Sequence, residues 1–252
     1  MVAAACKRLG ESLRTIEEYA KLVQPDQAFR IERMRYNAYT LEQRIMQRLM
    51  VANRFEQVRL YVLISSSICR HKSVKQTARA AIAGGADCIQ VREKDIPDAQ
   101  LLAIAAELRD LTDETGKMLI INDRPDIAAL VGADGVHLGQ DDLPIADARK
   151  LLRPGAIVGR STHNLAQVQT AINEGADYIA VGPIFATTTK NAGPLAGVDL
   201  LRQAAEKTPL PLVPIGGINP GNLSELKAAG AKRVAVSSAV RGADDPKAVA
   251  QA

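Results

Sequence analysis

From Arg59 onward the chain repeats one plan eight times: a short apolar run, a turn, and a stretch with helical spacing. The apolar runs are LYVLIS, CIQVRE, MLIIND, GVHLG, IVGRS, YIAVGPI, LVPIGGI and RVAVSSAV. Between them lie helical patterns such as SVKQTARAAIAGGA, DAQLLAIAAELRDLTDETG and NLAQVQTAINEGA. Several end in Gly-Ala or Gly-Ala-Asp just before the next run, where glycine supplies a left-handed helix cap. Strands alternating with helices predict parallel βαβ units, and eight units predict a closed (β/α)8 TIM barrel over residues 59–252.

Residues 1–58 follow another period. Leu9, Leu13, Ile16, Ala20 and Val23 recur at helical spacing, as do Ile31, Met34, Ala38, Leu41, Ile45 and Leu49 after the breaker QPDQ. The pattern predicts an α-helical hairpin ahead of the barrel. Such a hairpin cannot bury both stripes alone, so it needs the barrel, another segment or a second copy, which leaves room for a homo-oligomer.

Composition narrows the function classes. The chain of 252 residues is 47% hydrophobic and 24% charged, the profile of a globular protein. No apolar run approaches the roughly 18 residues of a membrane span. Cys6, Cys69 and Cys88 lack CxxC spacing, so neither a disulfide framework nor a zinc site is indicated, and a cytoplasmic location is expected. The net charge of +4 sits mostly in residues 1–58, which hold ten Lys and Arg against seven Asp and Glu. With no Trp and 3% aromatics, the stacking platforms of nucleic-acid binders are missing, and a solvated helical surface explains the basic region.

The candidate chemistry lies at the ends of the predicted strands, the face where barrels of this kind carry their sites. Gln90, Arg92 and Lys94 alternate along CIQVREKD and share one face, while Ile89 and Val91 take the other. Two cations on a stripe with no acidic residue predict an anionic ligand. Asp123 and Asp142 follow adjacent strands three and four. Carboxylates that converge there suit Mg2+, which is commonly held by one or two carboxylates plus substrate phosphates; either Asp alone could instead cap a helix. Asp141 reads as the solvated neighbour of Asp142.

Gly216-Gly217 after strand seven and Ser237-Ser238 after strand eight fit a phosphate site built from backbone N–H groups and hydroxyls. The hydroxyl-rich TTTK segment, ending in Lys190, lies in the longest strand-to-helix connection and reads as a lid or a solvated loop. His137 reads as a barrel-lining or core residue, His71 as a surface loop residue, and His163 as within reach of the site. No Ser-His-Asp or Cys-His arrangement assembles from the sequence.

Taken together, IQVREKD, LIINDRPDIAALVGADGVHLGQDDLP, GRSTHN, DYIAVGPIFATTTK, PIGGI and AVSSAV closely resemble the thiamine-phosphate synthase family, over about residues 59–245. The run from Asn122 to Pro144 is the most specific; IGGI alone is shared by many phosphate-binding barrels. The resemblance implies a Mg2+-dependent transferase that joins an aminopyrimidine diphosphate to a thiazole phosphate, giving thiamine monophosphate and pyrophosphate. It further implies that Gln90, Arg92, Lys94 and Asn122 contact the pyrimidine diphosphate and that Asp123 and Asp142 hold Mg2+. Ser161 and Lys190 would face the pyrimidine substrate or departing pyrophosphate, with Lys94, Ser161 and Lys190 as catalytic residues. Thr187, Thr189, Gly217, Ser237 and Ser238 would meet the thiazole phosphate.

The N-terminal hairpin departs from the minimal synthase. Its GESLRTIEEYAKL resembles the end of a helical domain fused ahead of some synthases, so the chain is expected to begin partway through that domain. Two other functions fit parts of the pattern: a thiazole tautomerase-like barrel, and a non-catalytic phosphate-ligand sensor with the hairpin as its output. Lys94, Asp123, Asp142 and Lys190 together argue against both, because only the diphosphate half-reaction needs that set.

Overall fold

Each apolar run forms a parallel strand: β1 Leu60–Ile64, β2 Cys88–Val91, β3 Met118–Asn122, β4 Gly135–Leu138, β5 Ile157–Thr162, β6 Tyr178–Val181, β7 Leu212–Pro214 and β8 Val234–Val236. The computed structural model describes residues 2–69, 73–187, 195–241, 243 and 245–251. Strand order is β7-β6-β5-β4-β3-β2-β1-β8. A parallel bridge between Ile215 and Ala235 joins the two ends of the sheet, completing the expected barrel.

The helices are α1 Val2–Val23, α2 Pro25–Glu56, α3 Val74–Ala83, α4 Asp98–Thr115, α5 Pro125–Leu130, α6 Ile145–Leu151, α7 Leu165–Asn173, α8 Gly197–Lys207, α9 Leu223–Ala228, α10 Ser238–Arg241 and α11 Pro246–Gln251. Local chemistry sets their ends. Ser73 and Gln76 form a reciprocal capping box at the start of α3. Gly116, with φ 67°, closes α4 in the left-handed conformation. Among the described residues no helix is long and apolar enough to cross a membrane.

Strand residues sort by parity. Val62, Ile64, Ile89, Val91, Leu119, Ile121, Val136, Leu138, Val158, Ile179 and Val181 form the core beneath the helices. The alternate positions, among them Tyr61, Gln90, Asn122, His137, Ser161 and Ala180, line a cavity inside the barrel. One sequence therefore builds an apolar outer layer and a polar inner one.

The Gly-Ala-Asp motifs clamp the opposite end. Gly85, Gly132 and Gly175 take φ values of 109°, 62° and 79°. Each following Asp then turns its carboxylate onto a backbone amide at the start of a neighbouring strand. Asp87 accepts from Arg59 N at 2.9 Å, Asp134 from Leu119 N at 2.9 Å and Asp177 from Val158 N at 2.8 Å. Cations compensate these carboxylates: Lys117 at 3.0 Å from Asp87, Arg109 at 3.0 Å and Arg54 at 3.1 Å from Asp134, and Arg149 at 2.7 Å from Asp177.

The chain divides into two compact units, Met1–Val51 and Ala52–Ala252. The division falls inside α2, earlier than the 58/59 boundary expected from periodicity. In the first unit α1 and α2 are held by a buried Glu17 whose carboxylate meets Arg35 Nε at 2.8 Å and Lys21 Nζ at 3.0 Å. Gly10 lies against the Tyr39 ring. Leu9, Ile16, Val23, Met34, Leu41 and Leu49 of the expected stripes are exposed.

The last turn of α2 belongs to the second unit. Phe55, 2% exposed, stacks on Tyr178 with centroids 4.3 Å apart and meets the Tyr61 ring edge-on at 6.3 Å. Arg233, buried just before β8, donates to Val58 O and to the Glu56 carboxylate at 3.2 and 3.1 Å. The barrel floor is thus closed by residues read from sequence as hairpin.

Candidate active site

A cavity of about 640 Å³ opens at the C-terminal ends of the strands, within the size range of small-molecule sites. Gln90, Arg92, Lys94, Asn122, Asp123, Asp142, Ser161, Thr187, Gly217, Ser237 and Ser238 all line it. Thr189 and Lys190 lie outside the described residues, as does His71.

β2 ends at Val91, so Arg92 and Lys94 stand on the loop above it and still keep the inward parity of Gln90. Glu93, between them, points away: its carboxylate accepts from the Ser66 amide and, at 3.0 Å, from the Ser66 hydroxyl. Lys94 Nζ lies 3.5 Å from Asp123 Oδ2. Arg92 has no acidic partner among the described residues.

Asp123 is the non-glycine residue that adopts a left-handed backbone, with φ 63°, among the described residues. Asp tolerates this region better than most residues, and such conformations concentrate at functional sites. Its amide donates to His137 O at 2.8 Å, which ties the turn to β4. Asp142, and not the exposed Asp141, is the carboxyl that bears on it, and Asp142 Oδ2 also accepts from Gly139 N at 2.6 Å. Burial, and then the adjoining Asp142, push the Asp123 carboxyl up to about 6, against the lowering pull of Lys94.

Across the mouth, Gly216 and Gly217 have φ values of 102° and 64°. A Cβ on Gly217 would run into Ala186 O and Phe185, so the tight turn depends on glycine. Asn219 and Asn222 both donate to Gly217 O, at 3.2 and 2.9 Å. Ser237 and Ser238 complete this side at the start of α10.

Deeper in the barrel lies a network that the sequence reading did not assemble. Gln90 Nε2 donates to Tyr61 OH at 2.8 Å, and Tyr61 OH lies 3.0 Å from Tyr178 OH. Tyr178 OH is 3.0 Å from His137 Nδ1, and His137 Nε2 is 2.8 Å from Ser161 Oγ. Gln90 Oε1 is buried and has no partner among the described residues. Gly159 makes room for the Tyr178 ring, which would collide with any Cβ there. The available signal was parity: Tyr61 and Tyr178 each precede an inward position by two, which places a hydroxyl inside the barrel.

Known proteins agree on what this architecture is. Residues 60–240 match the family described as Thiamine monophosphate synthase, and residues 1–44 match the ThiD2 family. A thiamine-phosphate synthase of Gloeobacter violaceus is 44% identical over 239 residues, 95% of this chain and 69% of that one. The corresponding protein of Chloroflexus aurantiacus is 48% identical over 194 residues, 77% of this chain and 89% of its own. Among solved structures, thiamine phosphate pyrophosphorylase from Pyrococcus furiosus superposes with a TM-score of 0.71 at 35% identity, covering 80% of this chain and 94% of that one. A 3-hexulose-6-phosphate synthase, TM-score 0.60 at 21% identity, shares the fold, covering 77% of this chain and 96% of its own.

Proposed function

The chain belongs to the thiamine monophosphate synthase family, and on that premise we propose how its barrel performs the family's reaction. That reaction condenses 4-amino-2-methyl-5-(diphosphomethyl)pyrimidine with 4-methyl-5-(2-phosphoethyl)thiazole, releasing pyrophosphate and giving thiamine monophosphate. The carboxylated thiazole is the form we assign to the physiological reaction. The observation that carries the assignment of residues is the separation of two polar clusters across one cavity. Arg92, Lys94, Asp123 and Asp142 follow β2, β3 and β4, whereas Gly217, Ser237 and Ser238 follow β7 and β8.

Bond making and breaking here ask little covalent chemistry of the protein. The methylene–oxygen bond breaks with its electron pair leaving on pyrophosphate, and the electron-rich aminopyrimidine supports the resulting cation. The thiazole nitrogen then supplies the pair for the new C–N bond. Arg92 and Lys94 stabilise charge on the departing diphosphate, and Asn122 orients it. Gly217, Ser237 and Ser238 grip the non-reacting phosphate, so that both reactants are held for attack. Ser161 and Lys190 complete our assignment on the pyrimidine side.

The carboxylate pair fits Mg2+. Among the described residues no cluster of three or more His, Cys, Asp or Glu forms a cage, but Mg2+ characteristically takes one or two carboxylates and completes its shell with phosphate oxygens and water. Two adjoining carboxyls that hold a proton up to about 6 make a site where a divalent cation relieves repulsion. Asp123 and Asp142 would hold the ion, which when bound supplies charge neutralisation to the leaving diphosphate. Free Cys6, Cys69 and Cys88 suit a reducing compartment, and we place the enzyme in the cytoplasm.

Incubating the purified chain with both substrates and Mg2+ and assaying thiamine monophosphate tests the assignment. Product formation that EDTA abolishes is expected. A folded protein that binds both substrates and forms no product would overturn it.

A further inference from the structure

We infer that Tyr178 is a positioning residue that fixes the hydrogen-bond polarity of the pyrimidine end of the cavity, through a one-way chain running Gln90 → Tyr61 → Tyr178 → His137 → Ser161. This deepens the reading above and rests on it for the identity of the ligand.

The direction follows from donor and acceptor accounting. An amide NH2 only donates, so Tyr61 OH receives the bond from Gln90 Nε2. Tyr61 is buried, and among the described residues the acceptor for its proton is Tyr178 OH, so that bond runs to Tyr178 and the Tyr178 proton goes on to His137 Nδ1. With Nδ1 accepting, the ring carries its proton on Nε2 and donates to Ser161 Oγ. Ser161 is left with its own proton to give into the cavity. Both phenols stay protonated because burial raises them well above their ordinary range.

Two consequences reach the ligand. Gln90, which lines the cavity, is left with Oε1 as a buried acceptor that has no partner among the described residues. Ser161 becomes a hydroxyl donor. An acceptor from β2 and a donor from β5 suit an aminopyrimidine, which offers both amino N–H groups and ring-nitrogen lone pairs. The same polarity withholds a base from Ser161, since His137 gives it a hydrogen bond and takes none. The Ser–His pair is therefore no nucleophilic dyad. The chain is braced from below by Phe55 stacked on Tyr178, and Gly159 leaves the ring its space.

The chain contains three histidines, so 15N-histidine spectra of the 252-residue chain resolve the tautomer directly. The ligand-free wild type is expected to show His137 protonated at Nε2, and Tyr178→Phe to show mixed tautomers. In kinetics, Tyr178→Phe should raise KM for the pyrimidine diphosphate about tenfold and leave KM for the thiazole phosphate unchanged, a split that a general loss of packing would not give. If Tyr178→Phe fails to fold, Tyr61→Phe, which cuts the chain one link earlier, should give the same split. A wild-type His137 protonated at Nδ1 would overturn the inference, as would equal changes in both KM values. Should the wild type make no thiamine monophosphate, the functional reading falls, and the tautomer still decides the direction of the chain.

Discussion

Phe55 stacks on Tyr178 with ring centroids 4.3 Å apart and planes inclined by 27°, so the last turn of α2 is part of the barrel floor. A chain beginning at Ala52 should therefore fold and turn over, whereas one beginning at Gln57 loses Phe55, the Arg54–Asp134 pair and the Glu56 partner of Arg233. The single substitution Phe55→Ala in the full chain should cost about 3–5 kcal/mol, the range for emptying a large buried aromatic site. Denaturant unfolding measures it. A wild-type midpoint for Phe55→Ala would show that the floor is not closed by this ring.

The Asp123–Asp142 pair predicts a pH dependence. Asp123 holds its proton up to about 6 in the folded protein, against an ordinary 3.8. The stabilisation from that tightly held proton is present below the ordinary value and is lost as pH rises through about 6. On the proposed assignment Mg2+ would have to displace this proton, so its affinity should weaken as pH falls below about 6 and level off above it. Asp142→Asn removes the like charge and should bring Asp123 back toward 3.8 in metal-free protein while weakening Mg2+ binding. Carboxyl 13C titration reads the first effect and calorimetry the second. An unmoved Asp123 midpoint in Asp142→Asn would mean that burial alone raises it.

Alternation made the barrel legible. Ile89 and Val91 pack outward and Gln90 inward, as a period of two requires, and the parity carries through Arg92 and Lys94 although hydrogen bonding of β2 stops at Val91. Partnership across the barrel was not legible. Tyr61 and Tyr178 meet over 117 residues of separation, and each sits in an apolar run that reads as core. His137 meets Ser161 only because β4 and β5 are in register. The stripe of α2 likewise runs on through Phe55, and periodicity does not tell which body its last turn serves.

Asp134 tests whether the Gly-Ala-Asp clamp is structural and separate from the cavity. Its side chain is 3% exposed and binds Arg109, Arg54 and the Leu119 amide, just ahead of β4 and at the end of the barrel away from the site. Asp134→Asn removes the buried carboxylate shared by Arg109 and Arg54, leaving Arg109 with Asp113 alone, and should destabilise by about 1.5–3 kcal/mol. Turnover per folded molecule, measured well below the unfolding transition, should stay at the wild-type value. A selective loss of kcat with unchanged stability would place Asp134 in the catalytic machinery instead.

The two sides of the cavity should separate kinetically. Arg92 offers a guanidinium with no acidic partner among the described residues, and a charge-assisted contact to phosphate is worth about 1.5–3 kcal/mol. Arg92→Ala should thus cost about 10- to 150-fold in kcat/KM for the pyrimidine diphosphate, by that same energy. Ser237→Ala combined with Ser238→Ala removes neutral donors from a phosphate that takes no part in bond breaking. The double variant should raise KM for the thiazole phosphate about tenfold and leave kcat at saturation nearly intact. Gly217→Ala should act on the same substrate more severely, because its φ of 64° and the nearby Ala186 carbonyl leave no place for a methyl group. Steady-state kinetics with each substrate varied in turn checks all three. Equal effects of the Arg92 and serine variants on both substrates would mean that the cavity holds one shared anion site.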